Sequence, residues 1–186
     1  MPKTLILIFH PDFTHSRANR ALADAASQLA NTEIFDVQSA YPDNRIDVDA
    51  EVQRLLGADR IVFQFPIQWY AAPPILQAWQ NAVLTRMYYL NYESEGRLLE
   101  GKPLQVAVTA GNTPSAYTAR GTNLLPLREI LTPLRVTAHR CGLLWTEPFI
   151  VYEAMKAPDA TLRQAGQAYA QWLSHESTQL LQYATI

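Results

Sequence analysis

Ser16 and Asn19 stand three residues apart where an amphipathic stretch begins, just beyond the turn His10-Pro11-Asp12. A hydroxyl and a carboxamide at such a point suit an anion. The first N–H groups of a helix lack intrahelical acceptors and lie at the positive end of its dipole. His10 with Ser16, Arg17, Ala18 and Asn19 therefore forms a candidate phosphate cradle. The same residues also serve as an ordinary strand end and helix cap, and this segment alone leaves both readings open. Ile67-Gln68-Trp69-Tyr70, after Phe65-Pro66, offers an aromatic wall and backbone N–H groups for a flat ring. In an arbitrary loop Trp69 and Tyr70 read as core packing, but a strand ending at Phe65-Pro66 places them at a ligand edge. In Ala110-Gly111-Asn112-Thr113, Gly111 allows close approach because it has no side chain to clash with a stacked ring. Hydroxyls, amides, aromatics and backbone together suit a flat cofactor that carries a phosphate.

The elements that position these loops follow from periodicity. Residues 4–9 are continuously apolar and branched, as in a strand covered on both faces. Residues 17–29 place Ala18, Ala21, Leu22, Ala25 and Leu29 on one helical face. A second strand over 33–37, a helix from Asp47 to its stop at Gly57, and a third strand over 60–65 follow. Pro73 and Pro74 start a helix that runs toward Leu84. Residues 104–109 form a fourth strand and 149–152 a fifth, separated by a helical stretch over about 124–141 that Pro133 interrupts. A helix over 159–182, striped by Leu162, Ala165, Tyr169, Trp172, Leu173 and Leu180, closes the chain. This alternation predicts one α/β domain over residues 1–186 with a doubly wound, five-stranded parallel sheet. The loops over 10–16, 66–70 and 110–114 then fall at its carboxyl edge, where such sheets bind ligands.

Composition narrows the function. With 186 residues, 48% hydrophobic and 17% charged, the chain supports one well-buried core. A net charge of −2 supplies no basic field, which argues against nucleic acid and an anionic membrane surface as partners. A single cysteine, Cys141, excludes an internal disulfide and predicts a reducing, cytoplasmic setting, with Cys141 as a small buried hydrophobe. The N-terminal apolar stretch has neither a basic lead-in nor a following small-residue cleavage site, so it reads as neither signal peptide nor membrane span.

Several signatures are absent or false. Gly96 to Lys102 has nucleotide-loop spacing, but Pro103 replaces the metal-binding hydroxyl and the segment precedes a strand. No dinucleotide glycine fingerprint, metal-ligand spacing or nucleophile elbow occurs. His139 and His175 read as surface helix positions, and no metal is expected.

His10-Pro11 with Ser16-x-x-Asn19, Phe63-Gln64-Phe65-Pro66-Ile67-Gln68-Trp69-Tyr70 with Pro73-Pro74-Ile75-Leu76 and Trp79, Leu99-Glu100-Gly101-Lys102 and Val108-Thr109-Ala110-Gly111 carry a resemblance. Together they resemble the flavodoxin-fold NAD(P)H quinone oxidoreductases, most closely the ancillary proteins of bacterial glutathione-regulated potassium-efflux systems. Cys141-Gly142-Leu143-Leu144-Trp145 and Pro148-Phe149 fit the same group, so nearly the whole chain is covered. The resemblance implies a flavodoxin-like three-layer sandwich with strand order 2-1-3-4-5, a homodimer, and non-covalent FMN, or FAD in its place. It also implies hydride transfer from NAD(P)H to the flavin and then to a quinone. The phosphate end would rest on His10 and residues 16–19, and the ring on Ile67 to Tyr70 and Ala110 to Thr113. Tyr117 falls at the family's active-site tyrosine, where it would face the flavin edge or the quinone; read without the family, it is an ordinary loop tyrosine.

The departures matter as much. Thr109-Ala110 and Gly111-Asn112 replace a threonine pair and a glycine pair, which crowds the ring. Residues 87–93 replace a glycine-bounded aromatic stretch, and Asn123 stands where some members carry a histidine. These changes keep a second reading alive: a regulatory subunit of a potassium-efflux antiporter, peripheral on the inner membrane through that partner, with catalysis weak or lost. An electron-transfer flavodoxin fits less well, because its acidic surface and phosphate loop are not apparent.

Overall fold

The computed structural model describes residues 3–174. Its first strand, β1 (Thr4–Ile8), is buried throughout, and its side chains alternate between two cores. Leu5 and Leu7 join Phe63, Val106 and Trp79 on one face, while Ile6 and Ile8 join Leu22, Val62 and Tyr169 on the other. Apolar residues on both faces make β1 central. It pairs in parallel with β2 (Thr32–Asp36) and β3 (Arg60–Pro66), and β3 pairs in parallel with β4 (Pro103–Thr109).

The far edge differs in detail from the single fifth strand expected. Two short parallel strands share it: β5 (Leu144–Trp145) pairs with the start of β4 and β6 (Phe149–Val151) with its end. Pro148 precedes β6 and has no N–H to donate to a ladder, so the edge is interrupted there. The order is β2-β1-β3-β4 with β5 and β6 beyond, the flavodoxin-like order 2-1-3-4-5 with its last strand in two pieces.

Helices cover both faces. One layer is α1 (Arg17–Ala26) against α7 (Asp159–Ser174). Gly166 permits this close packing, since a Cβ there would lie 2.6 Å from the Ala21 carbonyl oxygen. The other layer contains α3 (Val48–Leu56), α4 (Pro74–Trp79) and α6 (Thr132–Arg140), with two shorter helices, α2 (Val37–Ala40) and α5 (Leu127–Ile130), between elements.

Several boundaries shift for local reasons. Helix α1 stops before Leu29 because the Ser27 hydroxyl donates to the Asp24 carbonyl at 2.7 Å and offers the chain a turn. The second strand ends at Asp36, whose carboxylate accepts the Ser39 N–H and caps α2. Helix α4 continues past Leu84 through two π-helical segments, Gln80–Leu84 and Arg86–Leu90. The helix expected over 124–141 is broken into α5 and α6 around Leu131, with Leu124 at φ 64°; Pro126 and Pro133 each precede or open a helix instead of continuing one. The end of the expected closing helix, with His175 and Leu180, lies outside the described residues.

Candidate functional site

Three loops leave the carboxyl ends of β1, β3 and β4, as the alternation required. In the first, Ser16 is extended and its hydroxyl oxygen accepts the Asn19 N–H at 3.2 Å, capping α1. Helix geometry leaves the N–H groups of Arg17 and Ala18 without intrahelical acceptors at the same end. His10 enters through its Nδ1, which accepts the Asp12 N–H at 3.0 Å and so fixes the neutral ring's proton on Nε2. Burial lowers the His10 pKa, against smaller opposing effects of the Asp12 and Asp36 carboxylates. Asp12 in turn pairs with His15 at 2.8 Å.

The second loop is a two-residue hairpin turn. Gln68 and Ala71 exchange both backbone hydrogen bonds, at 2.9 and 3.0 Å, around Trp69 at φ 46° and Tyr70 at φ 62°. Positive φ at both central positions is the signature of a type I′ turn, which favours glycine and asparagine. For residues with side chains each such conformation costs about 1–2 kcal/mol, and such strain clusters at functional sites. The turn leaves Trp69 94% exposed and Tyr70 half exposed, with the Tyr70 hydroxyl donating to Asn123 Oδ1 at 3.3 Å.

The third loop continues β4. The Ile67 N–H donates to the Thr109 carbonyl at 2.8 Å and so ties the second loop to the third. Ala110 is buried, a Cβ on Gly111 would meet only the Met155 sulfur, and Asn112 Oδ1 accepts the Thr113 N–H at 2.9 Å.

Together the loops enclose a cavity of about 450 Å³, within the range of small-molecule sites. Of the residues expected from sequence, His10, Ser16, Arg17, Ala18, Asn19, Ile67, Gln68, Ala110 and Gly111 line it. Trp69, Tyr70, Asn112, Thr113 and Tyr117 are not among its lining. Asn19 is itself buried, and its side-chain amide donates inward to the Thr109 hydroxyl at 2.9 Å. Tyr117 is 8% exposed and packs on Tyr152 with ring centroids 5.7 Å apart; burial, with Tyr70 and Tyr152 nearby, raises its pKa, so the hydroxyl stays protonated. A fourth segment, containing Ala154 and Met155, also lines the cavity and carries no sequence signal that marks it. The lining combines a helix N-terminus, a hydroxyl, an imidazole and an uncrowded glycine.

This loop arrangement on this strand order decides the family. The chain belongs to the flavodoxin-like fold family, whose model matches residues 2–174. Within that family it is similar to the glutathione-regulated potassium-efflux system ancillary protein KefG of Pectobacterium atrosepticum, with 38% identity over 173 residues, 93% of each chain. It is also similar to the structure of general stress protein 14 from Treponema denticola in complex with FMN, with 32% identity, a TM-score of 0.85, and coverage of 92% of this chain and 98% of that one. An NADPH-quinone reductase structure from P. pentosaceus, at 24% identity, TM-score 0.78 and coverage of 91% and 96%, shares the fold.

A larger cavity of this flavodoxin-like protein, about 540 Å³, lies between the α4 region and α6 and shares only Ile67 with the first. Its size does not make it the chemical site, because its lining contains neither the α1 N-terminus nor the loops that follow β1 and β4. Cys141 lines it, and burial pushes that thiol up to about 11, which keeps it unreactive. Among the described residues no cluster of His, Cys, Asp or Glu could hold a metal.

Proposed function

We propose that the protein is an FMN-dependent NAD(P)H:quinone oxidoreductase. The observation that carries this reading is the 450 Å³ cavity that opens on the α1 N-terminus between the β1, β3 and β4 loops. Its donor set fits a phosphate at one end, and Gly111 with the backbone of residues 66–68 and 110 leaves space for a flat ring at the other. The FMN named in the Treponema denticola relative supports the choice of cofactor; FAD, which extends the same phosphate, is the alternative. FMN, when bound, supplies two-electron chemistry: NAD(P)H gives up a hydride and a quinone gains two electrons and two protons.

The chain's own residues bind and orient. Ser16 and the N–H groups of Arg17 and Ala18 receive the phosphate, with His10 Nε2–H as a further donor. Asn19 holds α1 in register from beneath. Gln68 and the Ala110-Gly111-Asn112-Thr113 segment bracket the ring, and the Trp69-Tyr70 turn forms the outer rim. Tyr117, kept protonated, is the donor to the quinone edge, where charge develops.

A homodimer belongs to this reading. The apolar groove between α4 and α6, with the exposed Tyr89 and Leu90 in the same region, supplies surface for a second copy. A cytoplasmic location is consistent with it, and no helix among the described residues is long and apolar enough to cross a membrane.

A second reading is favoured by Asn123, whose carboxamide oxygen accepts from the Tyr70 hydroxyl at the position where the family resemblance implies a histidine in some members. In that reading the protein is a regulatory ancillary subunit of a potassium-efflux antiporter, which the name of its relative, a potassium-efflux system ancillary protein, supports. Anaerobic stopped-flow kinetics separate the two. The first reading expects flavin reduction by NAD(P)H followed by reoxidation by a quinone, with Tyr117→Phe slowing the second half alone. No reduction in the wild type, together with stable binding to the antiporter, supports the second.

A further inference from the structure

Arg17 belongs to the cradle by position, but its guanidinium is committed elsewhere. It donates to the Met155 carbonyl at 3.3 Å, to the Ala157 carbonyl at 2.9 Å and to the Asp159 carboxylate at 2.6 Å. The first two lie on the connection from β6 to α7 and Asp159 opens α7, all far away in sequence. The same connection is fastened from its other side by the third loop: the Glu153 N–H donates to the Asn112 carbonyl at 3.1 Å and the Ala154 N–H to the Ala110 carbonyl at 2.9 Å. Between these fastenings the chain turns tightly. Glu153 adopts φ 53°, and its carbonyl accepts the N–H groups of Lys156 and Ala157 at 2.8 and 2.9 Å.

The turn places Met155 at the cavity mouth. Its side chain lines the cavity and is 81% exposed, and its sulfur lies 3.8 Å from where a Cβ on Gly111 would stand. An exposed methionine held by its own backbone is unexplained by core packing. A thioether is soft and polarisable, and makes favourable contacts with aromatic rings. Gly111 is the residue that leaves the space beside that sulfur open.

We propose that residues 153–158 form a strap across the cavity, with Met155 as a further binding residue whose thioether packs on the cofactor ring and Arg17 as the positioning residue that clasps the strap to α1. The inference rests on the FMN reading above. In it, Arg17 contributes to the site through its backbone N–H and through the strap, while the phosphate charge is met by the helix end and His10. The Arg17–Asp159 half of the clasp is exposed and therefore weakened by salt, whereas the Ala157 carbonyl contact is better shielded.

Two measurements on the full chain test the proposal. In the first, Met155 is oxidised by dilute hydrogen peroxide, the sulfur gaining an oxygen as the peroxide is reduced to water, with and without saturating FMN. Peptide mass spectrometry reads the sulfoxide, and the fully buried Met87 serves as internal reference. FMN is expected to slow oxidation at Met155 and leave Met87 unchanged, and Met155→Ala is expected to weaken FMN binding about two- to tenfold, the range that a thioether–ring contact supplies. Met155→Leu should recover part of that loss. Unchanged oxidation of Met155 in protein shown to hold FMN overturns its role as a binding residue. In the second, amide hydrogen exchange is read in the protein without FMN: Arg17→Met and Asp159→Asn should speed exchange at Ala154 and Ala157 and leave β1 unchanged. Equal exchange in wild type and variants overturns the clasp. If the wild type binds no FMN in equilibrium dialysis, the cofactor reading and the Met155 contact fall together, and the exchange data alone decide the clasp.

Discussion

The side-chain amide of Asn19 donates to the Thr109 hydroxyl at 2.9 Å, joining the first turn of α1 to the end of β4 inside the protein. Gln64 of β3 adds to the same junction through its Nε2–H, which donates to the Asn19 carbonyl at 2.9 Å. Three elements around the cavity thus meet at Asn19, β4 through its carboxamide and β3 through its main-chain carbonyl. Asn19→Ala removes the bond to Thr109 while the Gln64 bond to the main chain stays, and leaving the buried Thr109 hydroxyl without that partner costs about 1–3 kcal/mol. FMN affinity should fall in the same variant, because the helix end that receives the phosphate loses its register. Urea unfolding and flavin titration on one preparation check both.

A second buried polar centre should separate stability from binding. Glu51 is fully buried and accepts hydrogen bonds from the Tyr41 hydroxyl at 3.0 Å, Trp79 Nε1–H at 2.8 Å and Arg54 Nε–H at 3.3 Å. It does not line the 450 Å³ cavity. Glu51→Ala orphans all three donors and is expected to destabilise by about 3–5 kcal/mol. Glu51→Gln, which keeps the shape, should lose less. In the folded fraction FMN affinity should stay at the wild-type value, as dialysis at low urea would show.

Two glycines beyond β4 differ in what they tolerate. A Cβ on Gly121 would lie 2.3 Å from the Ala116 carbonyl oxygen and 2.4 Å from that of Ser115, so the turn before Tyr117 must shift. Gly121→Ala should therefore destabilise by about 1–3 kcal/mol. A Cβ on Gly111 meets only the Met155 sulfur at 3.8 Å, an ordinary contact. Gly111→Ala should leave the melting temperature nearly unchanged and weaken FMN binding, because the added methyl projects into the cavity.

His10 links stability to pH. Burial depresses its pKa below the ordinary histidine value of about 6.5. As pH falls through that value, the unfolded chain takes up a proton before the folded chain does, so stability declines with acidification until the folded-state pKa is reached. Urea midpoints measured between about pH 7.5 and pH 5 should fall less steeply in His10→Gln than in wild type. Parallel curves would place the acid sensitivity elsewhere.

The parts that sequence made legible were those set by local periodicity. The both-faced burial of β1 is visible in its unbroken branched residues, and Ser16 reads as a cap because an amphipathic helix follows it. The Trp69-Tyr70 turn was not legible, because type I′ turns announce themselves with asparagine and glycine and this one is built from two aromatics held there by the Gln68 and Ala71 backbone. The inward direction of the Asn19 amide and the Arg17 clasp was equally hidden, since both depend on partners about 90 and 140 residues away. The split edge strand follows from Pro148, whose position in the ladder only the structure reveals.

The central claim is that the α1 N-terminus receives a cofactor phosphate, and comparing FMN with riboflavin tests it most directly, because the two differ only in that group. Fluorescence titration of the purified protein, stripped of any bound flavin, should give FMN an affinity about ten- to a hundredfold above that of riboflavin, the range expected of charge-assisted hydrogen bonds, and Ser16→Ala should narrow the gap. Equal affinity for the two flavins, or a gap that Ser16→Ala leaves unchanged, would contradict the account.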